Sequence, residues 1–338
     1  MKVFIVGSKS IHIEKYILAL RNHIQNIVFL GEENCYYSKN EYVISFRTLN
    51  PIALIINYFK LYKVIKNENP NCIHIHQINR LAFVVALIAK RLNIPFVTTA
   101  WGSDVLLIPH KNILYFHLVK YVLKQASIVT ADSSEMITVM NRIYCHSSKY
   151  KLLQYGIDPI ESKEKRDIIF SNRLHKSLYR IDVIIRYFAE FTKRNLTYRL
   201  IIAGNGSETE KLKQLVDELK ISDQVEFVGW LNHSENSYYY SHAKFYISLP
   251  ESDGTSVSVL EAMLGGCIPI LSDLAVSREW ITDGVNGVIE KANTNPFEVA
   301  LTIDIQKCIL FNRELVGHKA LRGNTILEFI NHYNHIFK

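Results

Sequence analysis

Short apolar runs that end in small or polar residues alternate with helix-period segments along almost the whole chain. Strands that are apolar on both faces and separated by helices belong in a parallel sheet covered on either side, which makes the expected fold class α/β. The first half predicts strands at Lys2–Val6, Ile27–Leu30, Tyr42–Phe46, Cys72–His76, Phe96–Ala100, Ser127–Thr130 and Lys151–Gln154, with helical patterns at Ile13–Leu20, Ile52–Ile65, Leu81–Leu92 and Ile113–Lys124. Pro159–Asp167, with ESKEKR at its centre, is polar and aperiodic and reads as a linker. A second series follows. Its expected strands are Ile168–Ser171, Tyr198–Ala203, Gln224–Val228, Phe245–Leu249 and Ile268–Ser272, its helices Ile181–Lys193, Glu208–Leu219, Ser237–Ser241 and Val276–Thr282, and the tail from Leu321 also reads as helix. The expected domains are 1–158 and 159–321.

The first strand ends at Gly7 and Ser8, and His12 opens the following helix. In such a unit the ligand lies at the carboxyl ends of the strands, which puts His12 near the mouth of a site or makes it a surface or capping residue. No GxGxxG follows, so a dinucleotide cofactor is not expected.

With 338 residues, 48% apolar and 21% charged, the chain has material for two cores and the profile of a soluble protein. Its longest apolar run, Leu81–Ala89, stops at Lys90, far short of the roughly 18 residues a membrane span needs. MKVFIVGSKS reads as strand and turn, not as a signal peptide. The five cysteines are scattered without a CxxC pair, which fits reduced thiols in a cytoplasmic protein and neither a disulfide framework nor a zinc site. The net charge of +7 is uneven: residues 1–155 hold 18 Lys and Arg against 8 Asp and Glu, residues 156–338 hold 21 against 24. A basic half suits nucleic acid, an anionic substrate, an anionic membrane face, or simply a lysine-rich soluble surface. No nucleic-acid motif accompanies the charge, so no nucleic-acid partner is expected. Helices Ile52–Lys66 and Ile113–Lys124 mix aromatic and basic residues; they fit a peripheral position on the inner face of the plasma membrane, or core helices that snorkel their lysines.

Leu249–Leu271, LPESDGTSVSVLEAMLGGCIPIL, predicts a strand end, a small-residue turn, a short helix stopped at Gly265 and Gly266, and a second strand. The amides of Gly254, Thr255 and Ser256 at that helix start are suited to an anion, above all phosphate. Asp253 lies in the turn and Glu261 eight positions on, roughly 7.5 Å up the helix axis. A nucleotide diphosphate sugar has a matching layout: amides hold the diphosphate, Asp253 accepts from sugar hydroxyls, Glu261 from the ribose. Two carboxylates beside a diphosphate also require cations. The competing reading is a capping box, Ser258 to Glu261, that binds nothing.

Asp253 and Glu261, followed by Ala262, Met263 and Gly266, resemble the E-x7-E motif of the family 4 retaining glycosyltransferases. Ala203–Leu231 and Leu271–Ile289 resemble the family's neighbouring segments, and the resemblance covers the second domain strongly and the first moderately. The resemblance implies a GT-B fold, two Rossmann-like domains facing each other across a cleft, with the terminal helix at about 322–338 crossing back to the first. It implies a donor-binding second domain with Gly204, Asn205, Trp230 and Leu231 beside the nucleotide, and an acceptor-binding first domain with Gly7, Ser8, His12, Trp101 and Asp104. Family members carry an Arg and a Lys after the first strand of the second domain. Arg173 stands at the Arg position, Tyr179 at or near that of the Lys, and Lys176 or Arg180 is the alternative second cation. The sequence departs from the family twice. Asp253 replaces a Glu, shortening its reach by roughly 1.5 Å, and Trp101 replaces the His before Gly102, Ser103 and Asp104, where it can stack on a sugar but accept no proton. Trp101 and Asp104 can equally be packing residues.

The expected reaction is transfer of a sugar with retention from a nucleotide diphosphate sugar, UDP foremost, to a glycan or polyprenyl-diphosphate-linked acceptor in bacterial surface polysaccharide synthesis. Asp253, Arg173 and Glu261 carry it. No DxD occurs and, as in the family, neither a metal nor another cofactor is expected. The alternatives are a nucleotide-sugar 2-epimerase of the same fold and an inactive sugar-nucleotide-binding protein.

Overall fold

A computed structural model describes residues 1–337 and divides into two compact units, Met1–Gly156 with the final helix Arg322–Phe337, and Ile157–Leu321. The first unit holds, among the described residues, a seven-stranded parallel sheet of β1 (Lys2–Val6), β2 (Asn26–Gly31), β3 (Asn40–Val43), β4 (Cys72–His76), β5 (Phe96–Thr99), β6 (Ile128–Ala131) and β7 (Tyr150–Leu152) in the order β3-β2-β1-β4-β5-β6-β7. Alternation along the strands supplies a core to each face. Phe4 and Val6 of β1 pack with Ile73 and Ile75 under the helices Pro51–Glu68, Arg80–Leu92, Ile113–Gln125 and Ser134–Ile143. Val3 and Ile5 pack the other way, against Ile13, Ile17 and Leu20 of helix Ile11–Arg21 and Ile326, Phe329 and Tyr333 of the final helix. The chain order reverses between β1 and β4, so ligand chemistry is expected above their carboxyl ends.

The second unit repeats the plan with a six-stranded parallel sheet of β8 (Arg166–Ser171), β9 (Arg199–Ala203), β10 (Val225–Gly229), β11 (Ala243–Ser248), β12 (Ile268–Leu271) and β13 (Val288–Ile289), ordered β10-β9-β8-β11-β12-β13. Its reversal lies between β8 and β11. Ile169, Leu200 and Ile247 face helices Ile181–Phe191 and Thr209–Glu218, whereas Phe170, Ile201 and Tyr246 face helix Val257–Leu264.

Several expectations shift. β3 starts two residues early and ends before Ile44–Phe46, because the Phe46 amide turns to Glu32 Oε1 at 2.7 Å instead of a sheet neighbour. The segment read as a linker carries Ile160 into the second core, and its last two residues already open β8. Helices Ser134–Ile143, Pro296–Leu301 and Ile305–Ala320 were not expected. The last hides its buried stripe by placing Asn312 between Cys308 and Val316, where it donates to the Asn286 carbonyl at 2.9 Å. The expected short helix at Ser237–Ser241 extends over His233–His242, begun by a capping box of Asn232 and Glu235.

Candidate active site

The loops after β8 and β11 meet at the reversal of the second sheet. The β11 loop runs from Leu249 into helix Val257–Leu264, whose N-cap is Ser256 in extended backbone. The helix ends in a Schellman motif: Gly266 has φ +88°, its amide bonds the Met263 carbonyl at 3.2 Å, and the Cys267 amide bonds the Ala262 carbonyl at 2.9 Å. With Ser256 as N-cap, Glu261 is the fifth helical residue and not the third, so the Ser258–Glu261 capping box does not form. The Ser256 hydroxyl does not cap the helix either; it accepts from Arg173 Nη1 at 2.5 Å.

Arg173 Nη2 donates to Asp253 Oδ2 at 2.6 Å, and the guanidinium lies 4.5 Å from the centre of the Tyr179 ring. Arg173 is 11% exposed and Asp253 25%. Burial pushes the Asp253 carboxyl upward, while Arg173 and the Gly254 amide pull it back. Burial is the largest influence on Arg173 and works against its charge, but Asp253, Tyr246 and Tyr179 together outweigh it and the guanidinium pKa is raised. Thus the residue at the family's Arg position and the turn carboxylate are brought together, and Tyr179 supplies a π-face where the family has a cation.

A glycine turn aims this arginine. Gly204 has φ +102°, and a Cβ there would lie 2.7 Å from the Arg173 carbonyl oxygen; one at Gly206 would overlap the His175 carbonyl. The close approach lets the His175 amide donate to the Asn205 carbonyl at 3.2 Å and His175 Nδ1 bond Thr209 Oγ1 at 2.9 Å. Ahead of Arg173, Asn172 donates to Asn236 Oδ1 and Tyr240 Oη, each at 2.7 Å, and accepts from Tyr246 Oη at 2.9 Å. Glu261 is buried at 9% exposure, close enough to Tyr240 and Tyr246 that its charge adds to the burial raising both phenols.

Other expected donor residues separate. Arg180 forks onto Glu290 at 2.8 and 3.0 Å, joined by Tyr187 Oη at 3.1 Å, and so is committed elsewhere. Lys176 is exposed, leaving it the cation with freedom to move. Trp230, 71% exposed, and half-buried Leu231 follow the edge strand β10. Asp253, Gly254, Thr255 and Ser256 border a cavity of about 20 Å³ closed behind by Ser248, Ser272 and Trp280, room for about one water. A larger cavity of about 740 Å³ lies near the amino ends of β8 and β11. Its Lys165 caps the carbonyls of Tyr240, Ser241 and Gly265, and its Arg313 those of Ile160 and Leu264, which makes both structural.

In the first unit, the β1–β4 reversal gathers Gly7, Ser8, His12 and Trp101 with two residues the sequence reading missed, His76 and Tyr155. A Cβ at Gly7 would press on the end of the Ile13 side chain, which would have to shift. Half-buried Ser8 lies in the same turn. The His12 ring is edge-on to Trp101 at 6.3 Å and to Tyr155 at 5.7 Å, and Tyr155 Oη bonds His76 Nδ1 at 3.0 Å. Burial, with Arg322 and Lys15, lowers His12 to about 4, and burial lowers His76 to about 3, so both rings are neutral at pH 7. His76 Nε2 and Trp101 Nε1 are buried without a hydrogen-bond partner among the described residues. Asp104 does not join them. It is 1% exposed, accepts from the amides of Ile78 at 2.8 Å and Trp101 at 2.9 Å, and is pushed up by burial to about 6, which makes it the tie between two loops.

Two parallel-sheet units, each with its reversal and a glycine turn at the strand ends, define the GT-B class of α/β proteins. The architecture matches HepE of Anabaena in complex with UDP and glucose, with a TM-score of 0.80 over 98% of both chains at 14% identity. Residues 157–305 match the family description "Glycosyl transferases group 1" and residues 2–133 match "Glycosyl transferase 4-like". The chain therefore belongs to the family 4 glycosyltransferases. It is 24% identical to an uncharacterized glycosyltransferase of Methanocaldococcus jannaschii over 94% of this chain and 87% of that protein. It is 29% identical to the alpha-monoglucosyldiacylglycerol synthase of Streptococcus pneumoniae over 109 residues, which span 32% of this chain and 25% of that relative. Among the described residues no helix is long and apolar enough to cross a membrane, and no group of three or more His, Cys, Asp or Glu is placed to hold a metal ion.

Proposed function

We propose that the protein transfers a sugar, with retention, from UDP-sugar to a glycan or lipid-linked glycan acceptor in bacterial surface polysaccharide synthesis. The observation that carries this reading is the Arg173–Asp253–Ser256 contact at the mouth of helix Val257–Leu264, at the reversal of the second sheet. In the free protein Asp253 occupies the guanidinium. An arriving diphosphate offers a stronger, bidentate partner, so Arg173 exchanges carboxylate for phosphate and Asp253 is released to accept from a sugar hydroxyl. Arg173 and the turn amides then face the charge that develops on the leaving diphosphate, held in place before the reaction begins. Glu261 takes the ribose hydroxyls. On this reading the cations and amides do the work that a metal does elsewhere, and acceptor attack comes from the same face as the departing phosphate. The neutral cluster of His12, His76, Trp101 and Tyr155 takes the acceptor, and the basic first unit favours an acceptor presented at an anionic membrane. Support comes from relatives and structural neighbours whose names specify a UDP or GDP donor and a lipid or polyprenol acceptor.

Nuclear magnetic resonance of the product formed from UDP-glucose and a panel of lipid-linked and soluble glycans tests the reading. An α-linked product is expected from this α-linked donor. A β-linked product overturns retention, and isomerised UDP-sugar formed without acceptor points to the epimerase. Donor binding without turnover on any acceptor points to a binding protein, the reading favoured if Asp253 never leaves Arg173.

A further inference from the structure

Tyr179 stands at or near the position where the family carries a lysine, and its surroundings give it a different task. The Arg173 guanidinium carbon lies 4.5 Å over the centre of its ring. The N–H groups at the edge of the same guanidinium are engaged elsewhere, Nη1 by Ser256 Oγ and Nη2 by Asp253 Oδ2. A planar guanidinium presents its face and its edge separately, the face to a π-system and the edge to hydrogen-bond acceptors. A change of partner at the edge therefore leaves the contact at the face in place.

The ring stands on an anchored turn. Tyr179 ends the single helical turn Ser177–Tyr179, and its amide bonds the Lys176 carbonyl at 2.9 Å. From the loop that carries Asp253, the Glu251 amide donates to the Leu178 carbonyl at 2.9 Å, which ties the turn to that loop. The next residue, Arg180, is held at φ +50°, a left-handed conformation that a side chain adopts only at a cost. Its fork onto Glu290, just after β13, offsets that cost with bonds of 2.8 and 3.0 Å, and Tyr187 Oη closes on the same carboxylate. The ion pair that takes Arg180 away from the donor thus fixes the direction in which the chain leaves Tyr179.

We propose that Tyr179 is a positioning residue, its ring the fixed plate that keeps Arg173 aimed while the edge of the guanidinium trades Asp253 for the donor's diphosphate. The inference rests on, and deepens, the reading of Arg173 as the diphosphate holder. The competing role for Tyr179 is packing, since its ring also lies against the core under helix Ile181–Phe191. Packing alone makes the effect of losing the ring independent of Arg173 and of phosphate, whereas a plate for Arg173 makes it depend on both.

The test is titration of UDP and of uridine into the full chain, Tyr179→Phe, Tyr179→Leu, Arg173→Ala and the double variant Tyr179→Leu/Arg173→Ala. Tyr179→Phe keeps the ring and should bind UDP like the wild type. Tyr179→Leu should bind it about two- to thirtyfold more weakly, the range of a cation–π contact. On the Arg173→Ala background Tyr179→Leu should cost nothing further. Uridine, which has no phosphate, should bind every variant as it binds the wild type. The proposal is overturned if Tyr179→Leu binds UDP like the wild type, if Tyr179→Phe is as weak as Tyr179→Leu, or if the loss persists without Arg173 or extends to uridine. Wild-type UDP affinity in Arg173→Ala would instead overturn the diphosphate reading itself, so the two failures are told apart.

Discussion

Replacing Asp253 by Asn should tighten the binding of UDP while it slows sugar transfer, an outcome opposite in sign to simple damage at a binding site. In the free protein the Asp253 carboxylate sits 2.6 Å from Arg173 Nη2 and competes with the diphosphate for it. Two unit charges about 4 Å apart attract by ~4 kcal/mol at an effective dielectric of 20. Asp253 is 25% exposed, and screening and desolvation reduce what the pair contributes to ~1–2 kcal/mol. Asn keeps the shape and one acceptor but drops the charge. UDP affinity should therefore rise about five- to thirtyfold. Loss of the carboxylate that positions the sugar should lower kcat by about a hundredfold, the scale of a 1 Å misplacement. Titration calorimetry with UDP and steady-state kinetics with UDP-sugar separate the two effects. Unchanged or weakened UDP binding in Asp253→Asn would refute the exchange of partners at Arg173.

Gly204→Ala should cost ~1–3 kcal/mol of backbone strain and lower kcat/KM by moving the Arg173 carbonyl; Gly284→Ala, at φ +75° with nothing within 4 Å, carries the strain alone and should leave kinetics unchanged. Glu261→Gln should raise KM with little effect on kcat, and the variant should bind a 2′,3′-dideoxy-UDP as well as it binds UDP; a further loss with the dideoxy ligand would place the ribose elsewhere. Stability should fall in mild acid. The folded-state pKa values of His12, about 4, and His76, about 3, lie below the ordinary 6.5, so between pH 6.5 and 4 the unfolded chain binds protons the folded one does not, at ~1.4 kcal/mol per pH unit for each. Asp104, raised from 3.8 to about 6, offsets one of them below pH 6 by taking its proton first in the folded state. The net loss these three groups give from pH 7 to 5 is about 3 kcal/mol, and His74, which burial also holds well below 6.5, adds to it; the loss is readable as a drop in the urea midpoint of the wild type that His76→Gln makes smaller, and a midpoint independent of pH would contradict the buried neutral rings.

The two α/β units were legible in the sequence because short strands buried on both faces alternate with helix-period segments, as at Cys72–His76, whose bounds match the structure. The turn at Asp253–Ser256 was legible for a related reason: small residues between a strand and an apolar helix, with two glycines at its end, leave little else for the chain to do. What escaped was decided by tertiary partners. Nothing local says that Arg180 will fork onto Glu290, 110 positions away, or that Asp104 will accept amides from Ile78 and Trp101. His76 and Tyr155 belong to the first cluster through a contact between the end of β4 and the segment after β7, and their only sequence signal is the histidine that closes the strand CIHIH at the reversal. Helix Ile305–Ala320 escaped because its buried stripe includes an asparagine whose amide is satisfied chiefly by Asn286, 26 positions away.

On the proposed function Arg173, aimed by Gly204 and Gly206 at the mouth of helix Val257–Leu264, holds the donor's diphosphate. Titration of UDP into Arg173→Ala, with Arg173→Lys as a control for charge without the planar fork, tests it most directly. UDP binding should weaken by ~2–3 kcal/mol, about thirty- to a hundredfold or more, in Arg173→Ala and partly recover in Arg173→Lys. Wild-type UDP affinity in a folded Arg173→Ala protein would contradict the account.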